Sequence, residues 1–173
     1  MTESIQVRPA TEKDAQAVAD IHAASAQAAY ADVIPTSHLN ALAPEKRLQY
    51  WREAIEYGEP QVWLATVDGQ PAGFVGFDRS RDPKSKATTG EIWAVYSLES
   101  YWDRGVGLAL WDAARDGLIA EECTQVTVWV PLRNERAMRF FELAGFKREL
   151  PTARTTVVSG VKIEEIRLKR ALS

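Results

Sequence analysis

Apolar and polar residues alternate over Ile5-Gln6-Val7-Arg8, which predicts a short strand ended by Pro9. Thr11-Glu12-Lys13-Asp14 then has the form of a capping box, with Asp standing for the usual Glu. Behind it, Ala15, Val18, Ile21 or His22, and Ser25 share one stripe of a helix. Leu48, Trp51 and Ile55 have helical spacing and predict a second helix from Pro44 to about Tyr57. The pattern then becomes that of strands, over Val62 to Val67 and Ala72 to Phe77, joined by the hairpin signal Asp68-Gly69. A polar loop over 78–89 leads into a third strand from Glu91 to Leu98. Next come a helix from Gly107 to about Ala120, with Leu108, Trp111, Ala114 and Leu118 inward, and a strand over Gln125 to Val130. A last helix over 134–144 stops at Gly145, a left-handed cap, and strands are expected near 154–158 and 162–168.

The order β-α-α-β-β-β-α-β-α-β-β predicts an α/β (α+β) domain, a mixed, mostly antiparallel central sheet with helices on both faces. The passage from the Glu91 strand through a helix to the Gln125 strand is a right-handed crossover, so those two strands should run parallel. The chain, 173 residues with no repeat or long linker, reads as one domain over 1–173 and is large enough to fold on its own core. Its net charge of -3 argues against a nucleic-acid partner and agrees with a cationic substrate. One cysteine, Cys123, makes neither an intrachain disulfide nor a metal cluster, and no metal is expected. The first residues do not have the form of a signal peptide, and no apolar run is long enough for a membrane span, so the expected location is cytoplasmic.

Tyr101-Trp102-Asp103-Arg104-Gly105-Val106-Gly107 lies between a strand and a helix. Glycines there let the backbone take positive φ and approach a ligand closely. The free N–H groups of the helix's first turn then form an anion site, to which Arg104 adds a charge-assisted contact. Alone, such a sequence is equally a tight strand-to-helix turn. It lacks the Gly-Lys-Ser/Thr ending of a P-loop and the third glycine of a dinucleotide fold, which argues against a nucleoside triphosphatase.

Gly90-Glu91-Ile92-Trp93-Ala94-Val95-Tyr96-Ser97 runs into this loop. One helix and one strand later comes Asn134-x-x-Ala137-x-x-Phe140-Phe141-Glu142-x-x-Gly145-Phe146. With the opening Ile5-x-Val-Arg-Pro-Ala-Thr-x-x-Asp14 and with Gly73-Phe74-Val75-Gly76, these motifs resemble the GNAT acyltransferase superfamily over nearly the whole chain. The resemblance implies an N-acetyltransferase that moves an acetyl group from acetyl-CoA directly to a primary amine of a small molecule, amino acid or peptide; many relatives are homodimers. It implies that the pyrophosphate rests on the backbone of Asp103, Arg104, Gly105, Val106, Gly107 and Leu108. The pantetheine arm would enter beside Val95, Tyr96 and Ser97 as an added strand, with an N–H near Val95 facing the oxyanion. Trp102 stands where the family has Arg or Gln, so charge must reach the phosphates from Arg104 or from elsewhere.

An acceptor amine titrates near about 10.4, so a base is needed at neutral pH. Glu91 occupies the strand position where many relatives carry an acid, and parity puts it on the face of Trp93, Val95 and Ser97. The alternative is a strand-end glutamate bound to a backbone amide or an arginine. Asn134 matches an asparagine that touches pantetheine in relatives and also suits a helix N-cap. Phe141 stands where many relatives have a proton-donating Tyr, which leaves Tyr30, Tyr96, a water or an unassisted thiolate. Tyr30 lies in a region that lines the acceptor cleft in relatives; it touches substrate there or packs. His22 and His38 have no partners at metal spacing, and the charges of 162–170 read as an exposed strand face. The competing function is a non-catalytic acyl-CoA-binding sensor or assembly module, suggested by Phe141 and Trp102.

Overall fold

The computed structural model describes residues 4–30, 44–149, 152–158 and 161–172, with the backbone alone at 27, 29, 30 and 158. In chain order the strands are β1 (Ile5–Pro9), β2 (Gln61–Val67), β3 (Gln70–Arg79), β4 (Thr89–Ser97), β5 (Gln125–Pro131), β6 (Lys147–Arg148), β7 (Arg154–Val158) and β8 (Val161–Ala171). Helices α1 (Ala15–Tyr30) and α2 (Pro44–Tyr57) follow β1, α3 (Val106–Ala120) follows β4, and α4 (Glu135–Leu143) follows β5. The strands form one sheet ordered β1-β2-β3-β4-β5-β8-β6, with β7 paired to β8. The β4–β5 pair is parallel, as a helical crossover requires, and the other pairs are antiparallel. Among the described residues no helix is long and apolar enough to cross a membrane.

Each face of the sheet is covered by helices. On one side Val18, Ile21, Trp51 and Ala54 of α1 and α2 pack on Val62, Leu64 and Phe74. On the other, Val106, Leu110, Trp111, Ala114 and Leu118 of α3 join Met138 and Phe141 of α4 over Val75, Phe77, Ile92, Val126 and Val128. Strand alternation sorts the two sets: Phe74 faces α1 and α2, while Val75 faces α3. The turn between β2 and β3 has φ of 50° at Asp68 and 83° at Gly69, the type I′ sign pattern that the Asp-Gly pair predicts.

Two expectations change. Leu108 is not inward: it is 55% exposed, and the buried ridge of α3 runs instead through Val106, Leu110, Ala114 and Leu118, four residues apart. The ridge begins at Val106, so Leu108 projects from the first turn away from the sheet. β6 was not expected at all; its two residues are too few to show a period, and its pairing with Leu168 and Lys169 creates it.

The capping box is present. The Thr11 N–H donates to the Asp14 carboxylate at 2.7 Å, and Arg8 grips the same carboxylate with both terminal nitrogens at 2.7 and 3.0 Å. The Arg8 bond first, aided by the Thr11 amide, pulls the Asp14 carboxyl down to about 2 from an ordinary 3.8. Because the folded value lies below the unfolded one, this stabilisation is complete above about pH 4 and is lost as pH falls through about 2. Asp14→Asn should lower stability by roughly 1 kcal/mol at pH 7, and by much less at pH 2.5. Thermal melts at both pH values measure it; an equal loss at both would contradict the ion pair.

Candidate active site

β4 and β5 pair in register from Thr89 with Gln125 to Ile92 with Val128. Among the described residues the ladder goes no further, although β4 continues to Ser97 and β5 to Pro131. Beyond Val128, β5 stays with β8, through Trp129 with Arg167 to Pro131 with Glu165. On its other side β4 stays with β3, where the Leu98 N–H donates to the Ala72 carbonyl at 2.9 Å. Alternation along the strand therefore turns the N–H and C=O of Val95 and Ser97 into the gap.

A cleft of about 1260 Å³ fills that gap. Its walls include Val95, Tyr96 and Ser97 of β4, Ser25 and Ala28 of α1, Gly105, Gly107 and Leu108 at the start of α3, and Asn134, Arg136, Ala137, Phe140 and Phe141 of α4 and its cap. The Ser97 carbonyl already has two donors, the Trp102 indole N–H at 3.0 Å and the Ser25 hydroxyl at 3.2 Å. This explains the role of Trp102 here: it ties the loop after β4 to the end of the strand.

The loop then turns into α3 at Gly105, whose φ of 90° is costly for any residue with a Cβ. Ala109 bonds back to the Gly105 carbonyl at 3.0 Å, so the N–H groups of Val106, Gly107 and Leu108 have no acceptor within the helix. Together with the helix dipole they make the rim of the cleft attractive to an anion. A Cβ on Gly107 would stand 3.1 Å from Phe140, so the residue type lets α3 and α4 close on each other below the rim. The Val106 side chain is core. Arg104 bends back onto its own loop, donating to the Ser100 carbonyl at 3.1 Å and lying 5.2 Å from the Tyr101 ring. The cations of the cleft wall come from α4 and the turn before it, Arg133, Arg136 and Arg139. Arg136 of α4 lies 4.0 Å from the centre of the Trp102 ring and 3.2 Å from the carboxylate of Asp103, itself in the left-handed region at φ 62°.

Asn134 is the N-cap of α4, its side-chain oxygen accepting from the Ala137 N–H at 3.1 Å, and it also borders the cleft. Phe141 is 4% exposed and packs edge-on against Phe140 and Phe146. Tyr96 stacks on His22 at 5.2 Å, and the Nδ1 of that imidazole accepts from the Trp51 indole N–H at 3.1 Å. A donor at Nδ1 leaves the imidazole proton on Nε2. The Tyr30 side chain and all of His38 lie outside the described residues.

Glu91 is placed differently from its parity. Phe77 pairs with Ile92 and the neighbouring Gly76 with Ala94, so Trp93 is an extra residue, a β-bulge. The bulge reverses the alternation: Glu91, opposite Asp78, falls on the face of Ala94 and Tyr96 rather than that of Val95. There it is 1% exposed. One carboxylate oxygen accepts from the Arg81 backbone N–H at 2.9 Å, and the other from the Arg81 guanidinium at 2.6 Å. The guanidinium lies 4.2 Å over the Trp93 ring, and its side chain stays 49% exposed. The amide and arginine partners foreseen as the alternative for Glu91 are thus both supplied by one residue. Asp82, next in the chain, holds this lid down: its carboxylate accepts from the Trp129 indole at 3.0 Å and from Arg167 at 3.1 Å.

Two features were not read from the sequence. Arg136 occupies an unassigned position inside the Asn134 motif; the missing cation at Trp102 was the signal to look across the cleft for it. Arg81 sits in a polar loop where only contact with Glu91 singles it out. Among the described residues no three or more His, Cys, Asp or Glu side chains are grouped to hold a metal ion.

A sheet parted between two parallel strands, with a helix N-terminus at the mouth of the gap, sets a free strand edge and an anion-attracting rim side by side. The acetyltransferase (GNAT) family model matches residues 26–146, and the chain belongs to that family; it is an N-acyltransferase. It is 26% identical over 165 residues to an uncharacterized N-acetyltransferase, YuaI, of Bacillus subtilis, covering 95% of this chain and 91% of that one. In fold it is similar to a GCN5-related N-acetyltransferase of Rhodopseudomonas palustris, with TM-score 0.77, 24% identity and 99% of each chain covered. It is also similar to the PaiA N-acetyltransferase of Thermoplasma acidophilum, crystallised in complex with coenzyme A, with TM-score 0.76, 18% identity and 97% and 99% of the two chains covered.

Burial first, and Arg47 second, push the His22 imidazole down to about 4 from 6.5. A depressed histidine leaves the folded state neutral while the unfolded chain takes up a proton, so stability is complete above about pH 6.5 and declines toward pH 4. Melting temperatures from pH 8 to 4 should show this acid-side loss, and His22→Asn should flatten it. A variant as acid-sensitive as the parent would refute the assignment.

Proposed function

We propose that the chain transfers the acetyl group of acetyl-CoA to a primary amine of a small molecule, an amino acid or a peptide. The observation that carries this reading is the end of β4–β5 pairing at Ile92 and Val128, which leaves a strand edge facing a cleft with a helix N-terminus at its rim. The coenzyme A in the structurally similar PaiA protein supports it.

In this reading the first-turn amides of α3, beginning at Val106, receive the pyrophosphate. Since the Ser97 carbonyl is taken by Trp102 and Ser25, the pantetheine amides pair with the Val95 backbone and the Ser97 N–H. The Val95 N–H also opposes the charge that grows on the acyl oxygen. Asn134 is fixed as a cap, and its position on the cleft wall lets it border the pantetheine. The amine approaches from the side of α1, past Tyr96, where Tyr30 ends the helix. Glu91 accepts the amine's proton through water once the half-exposed Arg81 turns outward. Phe141 has no proton to offer, and coenzyme A leaves as the thiolate, a fair leaving group at a thiol pKa near about 8.5.

Calorimetry with acetyl-CoA should show binding on the order of micromolar, and a panel of amines with thiol detection should show coenzyme A release. Lack of acetyl-CoA binding by the intact chain would refute the function. Replacing Glu91 by Gln separates its two roles. A base predicts a fall in kcat of roughly a hundredfold or more with KM and melting temperature little changed. A purely structural anchor predicts a lower melting temperature with kcat preserved. Gly105→Val, which forces a β-branched residue to φ 90°, should abolish acetyl-CoA binding.

A further inference from the structure

The rim of the cleft lacks a cation from its own loop, because Arg104 is turned onto the Ser100 carbonyl and the Tyr101 ring. The arginines of the cleft wall, Arg133, Arg136 and Arg139, come from the opposite side, and of these Arg136 touches the glycine loop. Arg136 stands in the first turn of α4, its guanidinium carbon over the Trp102 ring at 4.0 Å from the ring centre, with one nitrogen 3.2 Å from Asp103. Trp102 is in turn fixed by its indole bond to the Ser97 carbonyl. The ring is therefore a platform that holds the guanidinium in the cleft that Gly105 and Gly107 also line. Asp103 is a weak partner: its carboxylate is 86% exposed, and exposed ion pairs contribute little. A phosphate, which takes a guanidinium in a two-pronged, charge-assisted grip, displaces such a partner readily.

Resting on the acyl-CoA reading above, we infer that Arg136 is a cofactor-binding residue of this chain. Presented by Trp102 and parked on Asp103, it swings off the carboxylate to clasp the pyrophosphate that the α3 amides hold from the other side. Asp103 then acts as an internal competitor for the guanidinium.

The test measures dissociation constants by calorimetry for coenzyme A and for dephospho-coenzyme A, which keeps the pyrophosphate and lacks the 3′-phosphate. Arg136→Ala should weaken both ligands by the same factor, on the order of ten- to a hundredfold. Asp103→Asn should tighten both by up to about fivefold, and this gain should vanish in the Arg136→Ala background. A loss confined to coenzyme A would assign Arg136 to the 3′-phosphate and overturn the inference. So would an unchanged affinity in Arg136→Ala, or a gain from Asp103→Asn that persists without the arginine. Both side chains are on the surface, and melting temperatures within a degree or two of the parent show that the fold is kept. Failure of the parent chain to bind either ligand refutes the acyl-CoA reading itself, and this inference with it.

Discussion

Two parallel strands that share a ladder and then part impose a demand on everything around them. Backbone N–H and C=O groups turned into a gap must find partners or stay wet, since leaving them buried and unpaired costs as much as a lost hydrogen bond. This chain holds the gap open from both sides. β5 is held away by its continuing ladder with β8, which reaches Pro131 opposite Glu165. β4 is turned by the bulge at Trp93, and its far end is pinned where the Ser97 carbonyl receives Ser25 and Trp102. α3 and α4 cannot fall in to fill the space, because Phe140 against Gly107 and Phe141 against Phe146 fix their distance below it. The opening is thus a built feature of the packing, with only the middle of the exposed edge left for a ligand.

The bulge sets more than the gap. One extra residue in β4 moves Glu91 to the opposite face from Val95, so the strand presents its backbone to one cleft and its carboxylate to the α1–α2 side. A buried carboxylate demands partners, and Arg81 meets that demand with an amide and a guanidinium at once. Arg81 is in place because Asp82 is: that carboxylate, bonded to Trp129 and Arg167, fastens the β3–β4 loop to β5 and β8. Arg167 is further fixed by Glu149, whose bond is the main cause raising the guanidinium's pKa. The charges of β8, which the sequence suggests are a solvated face, include this working brace.

Periodicity carried most of the architecture. Strands β1 to β5, β7 and β8 and the helices α1 to α4 follow from alternation, helical spacing, the Asp68-Gly69 turn and the Gly145 stop, because each buries an apolar face whose period is written in its own residues. What escaped depended on tertiary contact. β6 exists through its neighbour; the inward ridge of α3 started two residues before Leu108; the Trp93 bulge reversed a parity that assumes an unbroken strand. In the site, the glycine loop and the Asn134 motif were legible as local geometry, a left-handed turn and a cap. Arg81 over Glu91 and Arg136 over Trp102 were not, since a guanidinium's partner across 10 or 34 positions of chain leaves no periodic trace.

Phe141 shows why packing and proton chemistry compete at one position. Its ring is 4% exposed, edge-on to Phe140 and Phe146 in the wedge that keeps α4 beside the cleft. A hydroxyl on a ring this buried needs an acceptor within reach, and an unmet one costs about 1–3 kcal/mol. A hydrocarbon edge fits the wedge without that demand and keeps this wall of the cleft apolar. An apolar wall raises the cost of free charge there, so an anion formed in the cleft is drawn toward whatever positive potential the cleft provides. Among the described residues that potential comes from the N-terminus of α3 and from the arginines of the wall, Arg133, Arg136 and Arg139. Charge on this side of the cleft is thus met by fixed dipoles and arginine, while Glu91 and Tyr96 lie on the sheet face toward α1.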